Sequence, residues 1–254
     1  MYETTQLTTE DMAALTGYAA RARWPAAFNV YQRGAAADGV FVVLTGRVLL
    51  RTRVKSGRGF ITAVATSGRT FGGEGLAAAA PRGGAVYVTD ARADDETETL
   101  YLSGARFRAL VRERPPEAFA LFAQVMAEHG ALLDKLRELA TLSVEQRLVA
   151  ALVRMARQQM FVDEDGGVTL DAGQYRVLCE LVGATRESVS LVVNRLASEG
   201  LVMRRDGGIA IAPVTELVAR MNAVTDGAAA VAPAGPITRV VPVADAEPRE
   251  RLTV

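Results

Sequence analysis

Cysteine and histidine, two residue types that build many catalytic and metal centres, are almost absent from the chain. Its 254 residues include one cysteine, Cys179, and one histidine, His129. One residue of each type supplies neither a Cys/His zinc site nor the thiolates of an iron–sulfur cluster. A Ser-His-Asp triad would have to use His129, which the pattern below places on a helix. We therefore expect neither an enzyme nor a metalloprotein, and these residues predict no cofactor.

The chain also lacks an excess of either charge and any long apolar run. Lys+Arg and Asp+Glu number 29 each, so the formal net charge is zero and no overall basic field would attract nucleic acid. The N-terminal stretch MYETTQLTTEDMAAL is polar and unlike a signal peptide, and no run approaches the roughly 18 apolar residues of a membrane span. Together with the lone cysteine, these features favour a cytoplasmic protein without a membrane partner.

Many short β-type segments occupy residues 28–102. Before them, residues 8–20 predict a short helix that Thr8 or Thr9 can cap. The segment VFVVLTGRVLLRTRV is rich in β-branched residues and broken at Thr45-Gly46, which predicts two strands joined by a tight turn. GFITAVA, GAVYVTDARA and TETLYL are further candidate strands between glycine-rich turns. Short strands at this spacing predict a sandwich, a roll or a barrel.

From Pro116 the pattern becomes helical. Apolar residues recur at steps of mostly three and four through about 25 residues, and the Pro115-Pro116 pair suits a helix start. A long helix with one apolar stripe must bury it against the β domain, against a copy of itself, or against both. The stripe consists of Ala118, Leu121, Phe122, Val125, His129, Leu132, Leu136 and Leu139.

The C-terminal part predicts two short helices joined by a glycine. After a helix at Ser143–Met160, QYRVLCELVG and TRESVSLVVNRLASEG meet at Gly183-Ala184, and LVMRRDGGIAIAP predicts a hairpin. Two helices with a tight turn form the helix-turn-helix pattern, and the hairpin makes it winged. A last short helix at 215–223 is predicted before an Ala-, Pro- and Gly-rich tail that we interpret as flexible.

The exposed face of the second short helix carries the candidate DNA contacts. Thr185 is placed to cap this helix, whose inward face comprises Val189, Val192 and Leu196. Arg186 can bind the N7 and O6 atoms of guanine, and Glu187 can accept from the cytosine amino group. A small helical bundle with a solvated face is the alternative, since residues 145–222 carry nine arginines against ten acids. The candidate DNA-binding residues are Thr185, Arg186, Glu187, Ser188, Ser190, Asn194, Arg195, Arg204 and Arg205, of which Arg195, Arg204 and Arg205 suit phosphates.

The order of these segments resembles the Crp/FNR family of bacterial transcription regulators. ATRESVSLVVNRLASEGLV resembles the family's recognition helix and wing entry, and LATLSVEQRLVAALVRMA resembles the junction of its dimerisation helix and DNA-binding domain. FNVYQRGAAADGVFVVLTGRVLL resembles the opening of its cyclic-nucleotide-binding β-roll. The resemblance implies an α+β fold with an N-terminal β-roll of the cyclic-nucleotide-binding jelly-roll type, a long dimerisation helix and a C-terminal winged helix-turn-helix. The implied division is 1–115 for the sensor domain with its N-terminal helix, 116–141 for the dimerisation helix, 142–223 for the DNA-binding domain and 224–254 for the flexible tail.

The resemblance also implies a homodimer on a palindromic site in double-stranded DNA, with two recognition helices about 34 Å apart. A regulator that activates transcription would contact RNA polymerase as well, and no segment of the sequence identifies that surface. The implied dimer interface comprises Leu121, Val125, His129, Leu132, Leu136 and Leu139.

Three departures from the family pattern concern specificity and control. Leu191 stands where relatives of the catabolite-activator type carry a second arginine, so one step of the half-site should differ. In the implied ligand pocket, Arg82 comes early and Gly83-Gly84 offer no hydroxyl beside it. Leucines replace two hydroxyl residues that meet the adenine across the dimer, which would leave polar ligand groups unpaired. These departures argue against ordinary cyclic AMP control and favour another ligand or none. The candidate pocket consists of Gly72, Gly73, Glu74, Arg82, Leu132 and Leu133.

Three alternatives remain open from the sequence. One is a small-molecule-binding signalling module whose winged domain docks a protein instead of DNA. His129 is a pH switch or haem ligand, or else a packed or partly exposed interface residue, and we favour the interface residue. Cys179 is a redox sensor, or else a packed thiol within the helix-turn-helix, and we favour the packed thiol.

Overall fold

A computed structural model of the chain describes residues 6–53, 59–80, 84–157, 160–161, 168–205, 208–211 and 219. Arg82, the hairpin turn at 206–207 and the tail predicted from 224 lie outside the described residues, as does the helix predicted at 215–223 apart from residue 219. Within the described ranges, no helix has the length and apolar character needed to cross a membrane.

The predicted N-terminal helix is shorter than its sequence pattern indicated. It is α1 (Thr9–Leu15), which begins at a capping box formed by Thr8 and Asp11. The chain then enters β1 (Ala20–Trp24), which pairs with a strand about 75 residues further along the chain. The helix therefore ends at Leu15, residues 16–19 form a turn, and only Ala20 of the 8–20 segment belongs to β1.

A roll of antiparallel strands follows, as predicted. It contains two four-stranded sheets, ordered β1-β10-β4-β7 and β2-β9-β5-β6, and a separate small β3-β8 pair. The predicted tight turn lies between β4 and β5, where Gly46 has a φ of 81°. The remaining strands of the roll are β2 (Asn29–Tyr31), β3 (Ala36–Ala37), β4 (Gly39–Thr45), β5 (Val48–Arg53), β6 (Gly59–Ala65), β7 (Thr70–Phe71), β8 (Ala85–Val86), β9 (Asp90–Ala93) and β10 (Thr97–Ser103).

Two helices lead out of the roll. The first, α2 (Gly104–Glu113), was not predicted, and it begins at Ser103, whose hydroxyl accepts from the Arg106 N–H. The second, α3 (Pro115–Thr141), confirms the predicted long helix with proline in its first turn. Ala118 and Leu121 of α3 are buried in a cluster with core residues of the roll, so one side of α3 lies on the roll of its own chain.

The C-terminal part contains the predicted winged helix-turn-helix and one unpredicted strand. That strand, β11, pairs with β13, so the wing is a three-stranded sheet ordered β11-β13-β12. A single cluster of buried residues joins this part to the outer face of β5 and β6, where Leu49 and Ile61 meet Leu152 and Leu178. The elements are α4 (Val144–Arg157), β11 (Val168–Asp171), α5 (Ala172–Val182), α6 (Arg186–Ser198), β12 (Val202–Arg205) and β13 (Gly208–Ile211).

Candidate nucleic-acid interface and ligand pocket

The two helices of the helix-turn-helix motif meet at Gly183, which has a left-handed backbone with a φ of 68°. Its N–H donates to the Cys179 carbonyl and ends α5. A β-carbon at this position would lie 2.9 Å from the Phe60 ring and 3.0 Å from Leu139. The turn therefore lies directly against β6 and α3, and both its conformation and its close packing favour glycine.

The first turn of α6 is fixed by Thr185, as predicted. The Thr185 hydroxyl accepts a hydrogen bond from the Ser188 N–H at 3.2 Å, which satisfies a donor that the helix itself leaves free. Val189 and Leu196 are buried beneath the helix as predicted, but the third buried residue is Val193, and Val192 is only half-buried. The charged residues of the predicted outward face remain exposed, whereas Ser188 and Ser190 are half-buried.

The outward face of α6 presents a charged pair on its first turn. The Arg186 guanidinium lies 5.9 Å from the centre of the Tyr175 ring of α5, which suits a cation–π contact. The backbone N–H of Glu187 and the Thr185 hydroxyl lower the pKa of the Glu187 carboxyl, so this group is ionised at neutral pH. The exposed residues of this face are Arg186, Glu187, Leu191, Asn194 and Arg195.

Two of the predicted DNA-contacting residues, Ser188 and Ser190, form hydrogen bonds within the motif. The Ser188 hydroxyl lies 3.1 Å from that of Thr185, and the Ser190 hydroxyl lies 3.2 Å from that of Tyr175. Both serines are half-buried. The Ser190–Tyr175 contact stabilises the packing of α6 on α5, whereas the Ser188–Thr185 contact lies within the first turn of α6. A base contact would have to share these hydroxyls.

The predicted phosphate contacts differ in their surroundings. Arg195 forms an ion pair with Glu145 near the start of α4, so a phosphate would compete with that carboxylate. Arg204 and Arg205 lie on β12, but their side chains are outside the described part of the chain.

Two features of the motif were missed from the sequence. Asp171 caps α5, where its carboxylate accepts from the N–H groups of Gly173 and Gln174. The spacing of Asp171 and Gln174 is that of a capping box and could have shown where the helix begins. Tyr175, which contacts both Arg186 and Ser190, had no local signal because its partners lie on the other helix.

The candidate ligand pocket begins at Gly72, whose φ is 68°. A β-carbon there would lie 2.9 Å from the Tyr87 ring. Tyr87 stacks on Tyr31 at 3.8 Å between ring centres, and its hydroxyl donates to the Gly39 carbonyl at 2.9 Å. Burial raises the pKa of Tyr87 to about 12, so this hydroxyl keeps its proton. Aromatic side chains therefore pack tightly around the loop that the family resemblance assigns to the ligand.

The other predicted pocket residues are only partly brought together. Gly73 and Glu74 begin a 3-10 helix, Gly73–Ala79, and the Glu74 carboxylate accepts from the Val88 N–H at 3.3 Å. A β-carbon on Gly73 would lie 2.7 Å from Val125, so this residue of α3 contacts the loop. Leu132 is half-buried and Leu133 is exposed. Arg82 lies outside the described residues.

The exposed apolar residues of α3 form a stripe that differs from the predicted one. Its five apolar members are between 45% and 72% exposed, and His129 is exposed among them. The steps between successive members alternate between three and four, which is the 3.5-residue repeat of a coiled coil. We call this stripe the α3 seam, and its members are Phe119, Phe122, Met126, His129, Leu133 and Leu136.

Some residues predicted for the dimer interface lie away from the α3 seam. Leu121 is fully buried in the core of its own roll, so its assignment to the interface was wrong. Val125 contacts Gly73, and Leu139 contacts Gly183 in the same chain. Only His129 and Leu136 lie on the seam as predicted. The sequence pattern merged two adjacent stripes because steps of three and four fit both of them.

The one cysteine and the one histidine of the chain, Cys179 and His129, lie on α5 and α3. Cys179 is buried in the core of the DNA-binding domain, and burial raises the pKa of its thiol, which favours the packed interpretation. His129 is exposed on α3. In the part of the chain that the structure describes, no cluster of three or more His, Cys, Asp or Glu residues could hold a metal ion.

Comparisons with known proteins match both halves of the chain. The family profile described as cyclic nucleotide-binding domain matches residues 23–114, and that described as Crp-like helix-turn-helix domain matches residues 146–220. The chain is 22% identical over 180 residues to the cAMP-activated global transcriptional regulator CRP of Escherichia coli O157:H7, which covers 71% of this chain and 83% of that protein. It is 25% identical over 213 residues to the CRP-like cAMP-activated global transcriptional regulator of Mycobacterium tuberculosis (strain ATCC 25618 / H37Rv), which covers 82% and 91%.

Solved structures show the same fold. The c-di-GMP responsive global regulator CLP of Xanthomonas campestris matches with a TM-score of 0.68 and 21% identity, over 81% of this chain and 99% of that chain. A CRP/FNR family transcriptional regulator from Thermus thermophilus matches with a TM-score of 0.67 and 22% identity, over 80% and 98%.

Proposed function

Because the chain belongs to the Crp/FNR family of DNA-binding transcription regulators, we propose that it acts as a homodimer on a palindromic site without the usual control by cyclic AMP. The observation that carries the DNA-binding part is the exposed Arg186-Glu187 pair on the capped first turn of α6. In a helix-turn-helix, the N-terminal residues of the second helix reach base edges in the major groove. The arginine would donate to guanine, and the ionised glutamate would accept from cytosine.

The homodimer is supported by the α3 seam. An exposed apolar stripe with a 3.5-residue repeat is buried most simply against the same stripe of a second copy, related by a two-fold axis. That axis would place the two copies of α6 in the major groove on successive turns of the DNA. Two identical helices related in this way would bind the two halves of a palindromic site.

Two features support independence from cyclic AMP. Aromatic rings pack against Gly72 inside the roll, and Glu74 is already engaged by the Val88 N–H. Leu133 lies on the α3 seam, where an adenine would find no hydrogen-bond partner in its side chain. The E. coli and M. tuberculosis relatives are named as cAMP-activated and the X. campestris relative as c-di-GMP responsive, so both nucleotides are the effectors to test first.

The proposal is tested by selecting bound sequences from random DNA with the purified full-length protein. The selection is run without nucleotide, with cyclic AMP and with c-di-GMP. We expect the same palindrome to be enriched in the first two conditions. Enrichment only with cyclic AMP would contradict the independence from this nucleotide.

The role of α6 is tested with the double variant Arg186→Ala/Glu187→Ala. We expect it to lose sequence preference, because each specific base contact contributes about 1–3 kcal/mol of discrimination. Arg33→Ala/Glu10→Ala is the matched control, since it removes the same two charges from exposed positions of the sensor domain. Sequence preference that survives in the α6 double variant would favour a winged domain that docks a protein.

A further inference from the structure

A cavity of about 410 Å³ lies where the roll, α3 and the DNA-binding domain meet. Its wall includes Arg69 from the turn before β7, Glu128 and Lys135 from α3, and Arg154 from α4. Ile61, Met155, Met160 and Leu181 add apolar surface. A largely apolar cavity with a few converging charged groups is the common form of a small-molecule site. This cavity is separate from the loop at Gly72–Glu74 inside the roll.

At one part of the cavity wall, cationic side chains outnumber the carboxylate that pairs with them. Arg154 donates to both carboxylate oxygens of Glu138, and the Lys135 ammonium lies 3.8 Å from the same carboxylate. One acid therefore faces two cations at this wall. Because the Lys135 side chain is only 8% exposed, water screens its charge poorly.

A second part of the cavity wall contains Arg69, whose guanidinium has few polar partners in the described part of the chain. Among the described residues, the Arg69 guanidinium has one ion-pair contact, at 3.4 Å from Glu128, and the Glu128 carboxylate also accepts from Gln124 at 2.7 Å. Burial raises the pKa of Glu128, against the opposing effect of Arg69 and Gln124. The Nε of Arg69 is buried and has no hydrogen-bond partner among the described residues. A buried donor of this kind requires an acceptor, because an unmet donor destabilises the folded state.

We propose that this cavity binds a small anionic ligand, whose carboxylate or phosphate groups bridge Arg69 on one wall and the Lys135–Arg154 pair on the other. The apolar part of the ligand would pack on Met155 and Met160. Since the ligand contacts the roll, the long helix and α4 together, it would hold the DNA-binding domain in one orientation to the sensor domain. This regulatory consequence rests on the function proposed above, whereas the binding itself does not.

Calorimetric titration of the full-length protein tests the site, with citrate as the carboxylate probe and inorganic pyrophosphate as the phosphate probe at constant ionic strength. We expect saturable binding of at least one probe with one site per chain. Arg69→Gln should weaken it at least tenfold, because a bidentate guanidinium contact is lost. Arg23→Gln, on the exposed edge strand β1, is the matched control and should bind like the wild type.

Equal binding by Arg69→Gln and Arg23→Gln would show an adventitious ion only and overturn the proposal. The absence of saturable binding for both probes at millimolar concentration would also overturn it. Arg154→Gln tests the opposite wall independently and should likewise lose at least tenfold in affinity, with thermal unfolding as the check that each variant is folded.

Gel-shift titrations on the selected palindrome, with and without the bound probe, then separate the two claims. A change in DNA affinity in wild type but not in Arg69→Gln supports regulation through the cavity. Saturable probe binding without any effect on DNA affinity would overturn the proposed regulation, while the binding site itself would still be supported. If the protein binds no DNA at all, the function proposed above fails while the calorimetry still decides the site.

Discussion

Leu191 is 72% exposed on the face of α6 that carries Arg186 and Glu187. A leucine can contact a thymine methyl group but offers no hydrogen bond to a base edge, so this position reads less of the DNA than an arginine would. The exposure itself could not be predicted from residue type, since single leucines occur on many surfaces. The exposure of Leu191 was instead predicted from its position on the same face of the helix as Arg186.

We expect Leu191→Arg to create a preference for guanine at one step of each half-site, of about 1–3 kcal/mol. Repeating the site selection with this variant measures the change. Met203→Arg is the control, because it adds the same charge at another exposed apolar residue of the DNA-binding domain. It should strengthen binding to all sequences without altering the selected bases. An unchanged site for Leu191→Arg would show that this position does not reach the groove.

Gly183 combines a left-handed backbone with close contacts to two other elements. We expect Gly183→Ala to lower the free energy of unfolding by about 1–3 kcal/mol, because an alanine is strained at positive φ and its β-carbon meets Phe60. Gly130→Ala is the comparison, since its β-carbon would meet no atom within 4 Å and helical alanine is favoured by about 0.5–1 kcal/mol. Urea unfolding at one protein concentration measures both variants. Equal unfolding free energies for the two variants would contradict the assigned turn.

At the scale of elements, α3 carries two apolar stripes with different partners. Ala118, Leu121 and Val125 pack on the roll, whereas the α3 seam is exposed in the single chain. The sequence predicted the helix, its proline start and its length well, because these depend on local periodicity. The sequence could not show which stripe packs on the roll and which is exposed, because a period near 3.6 fits both sides of the helix.

We expect Leu133→Glu and Leu136→Glu to convert the proposed homodimer to a monomer. Each substitution places two buried charges in a symmetric interface, at a cost of about 3–5 kcal/mol, or more than a hundredfold in dissociation constant. Sedimentation velocity measures the change. Val111→Glu on α2 adds the same charge at a similarly exposed apolar residue away from the seam and should leave the dimer intact. If all three variants sediment alike, the seam is not the dimer interface.

The strands missed from the sequence share a cause. β11 has four residues, and it is defined by its pairing with β13, about 40 residues further along the chain. β1 was also missed, and it pairs with β10, more than 70 residues further along the chain. Residues 16–19, predicted as the end of the first helix, form a turn that leads into it. Local pattern thus predicted the helix-turn-helix and its capping residue Thr185, while short strands that depend on distant partners were missed.

At the scale of the whole molecule, the C-terminal end of α5 is held by both other parts of the protein. Glu180 pairs with Arg51 of the roll, and Lys135 of α3 donates to the Leu181 carbonyl. The next turn, at Gly183, lies against Phe60. None of these contacts was predicted, because each joins residues that are remote in sequence. They fix the orientation of the helix-turn-helix motif relative to the roll.

Lys135 makes this junction sensitive to pH. Burial, with help from the nearby Arg154 charge, lowers the pKa of Lys135 from 10.5 to about 8. Between these values the unfolded chain binds more protons than the folded one, so this residue's contribution to the free energy of unfolding increases with pH by up to about 1.4 kcal/mol per unit. Below pH 8 both states are charged, and the cost of burying the ammonium is fully present.

We expect the difference in unfolding free energy between wild type and Lys135→Met to shift in favour of wild type between pH 8 and pH 9.5. Groups that titrate in both proteins cancel in this difference. Denaturant unfolding at matched ionic strength measures it at each pH. A difference that stays constant over this range would show that the folded state does not suppress protonation of Lys135.

The burial of Cys179 has a practical consequence. It is the only cysteine in the chain, and its thiol lies in the core one turn before Gly183. A thiol reagent can reach it only when α5 separates from its neighbours, so labelling proceeds through transient opening. The ratio of the labelling rate to that of a free thiol reports the population of open DNA-binding domain, without any added probe or engineered residue. Titrating operator DNA or a small anion during such labelling would record how each one changes that population.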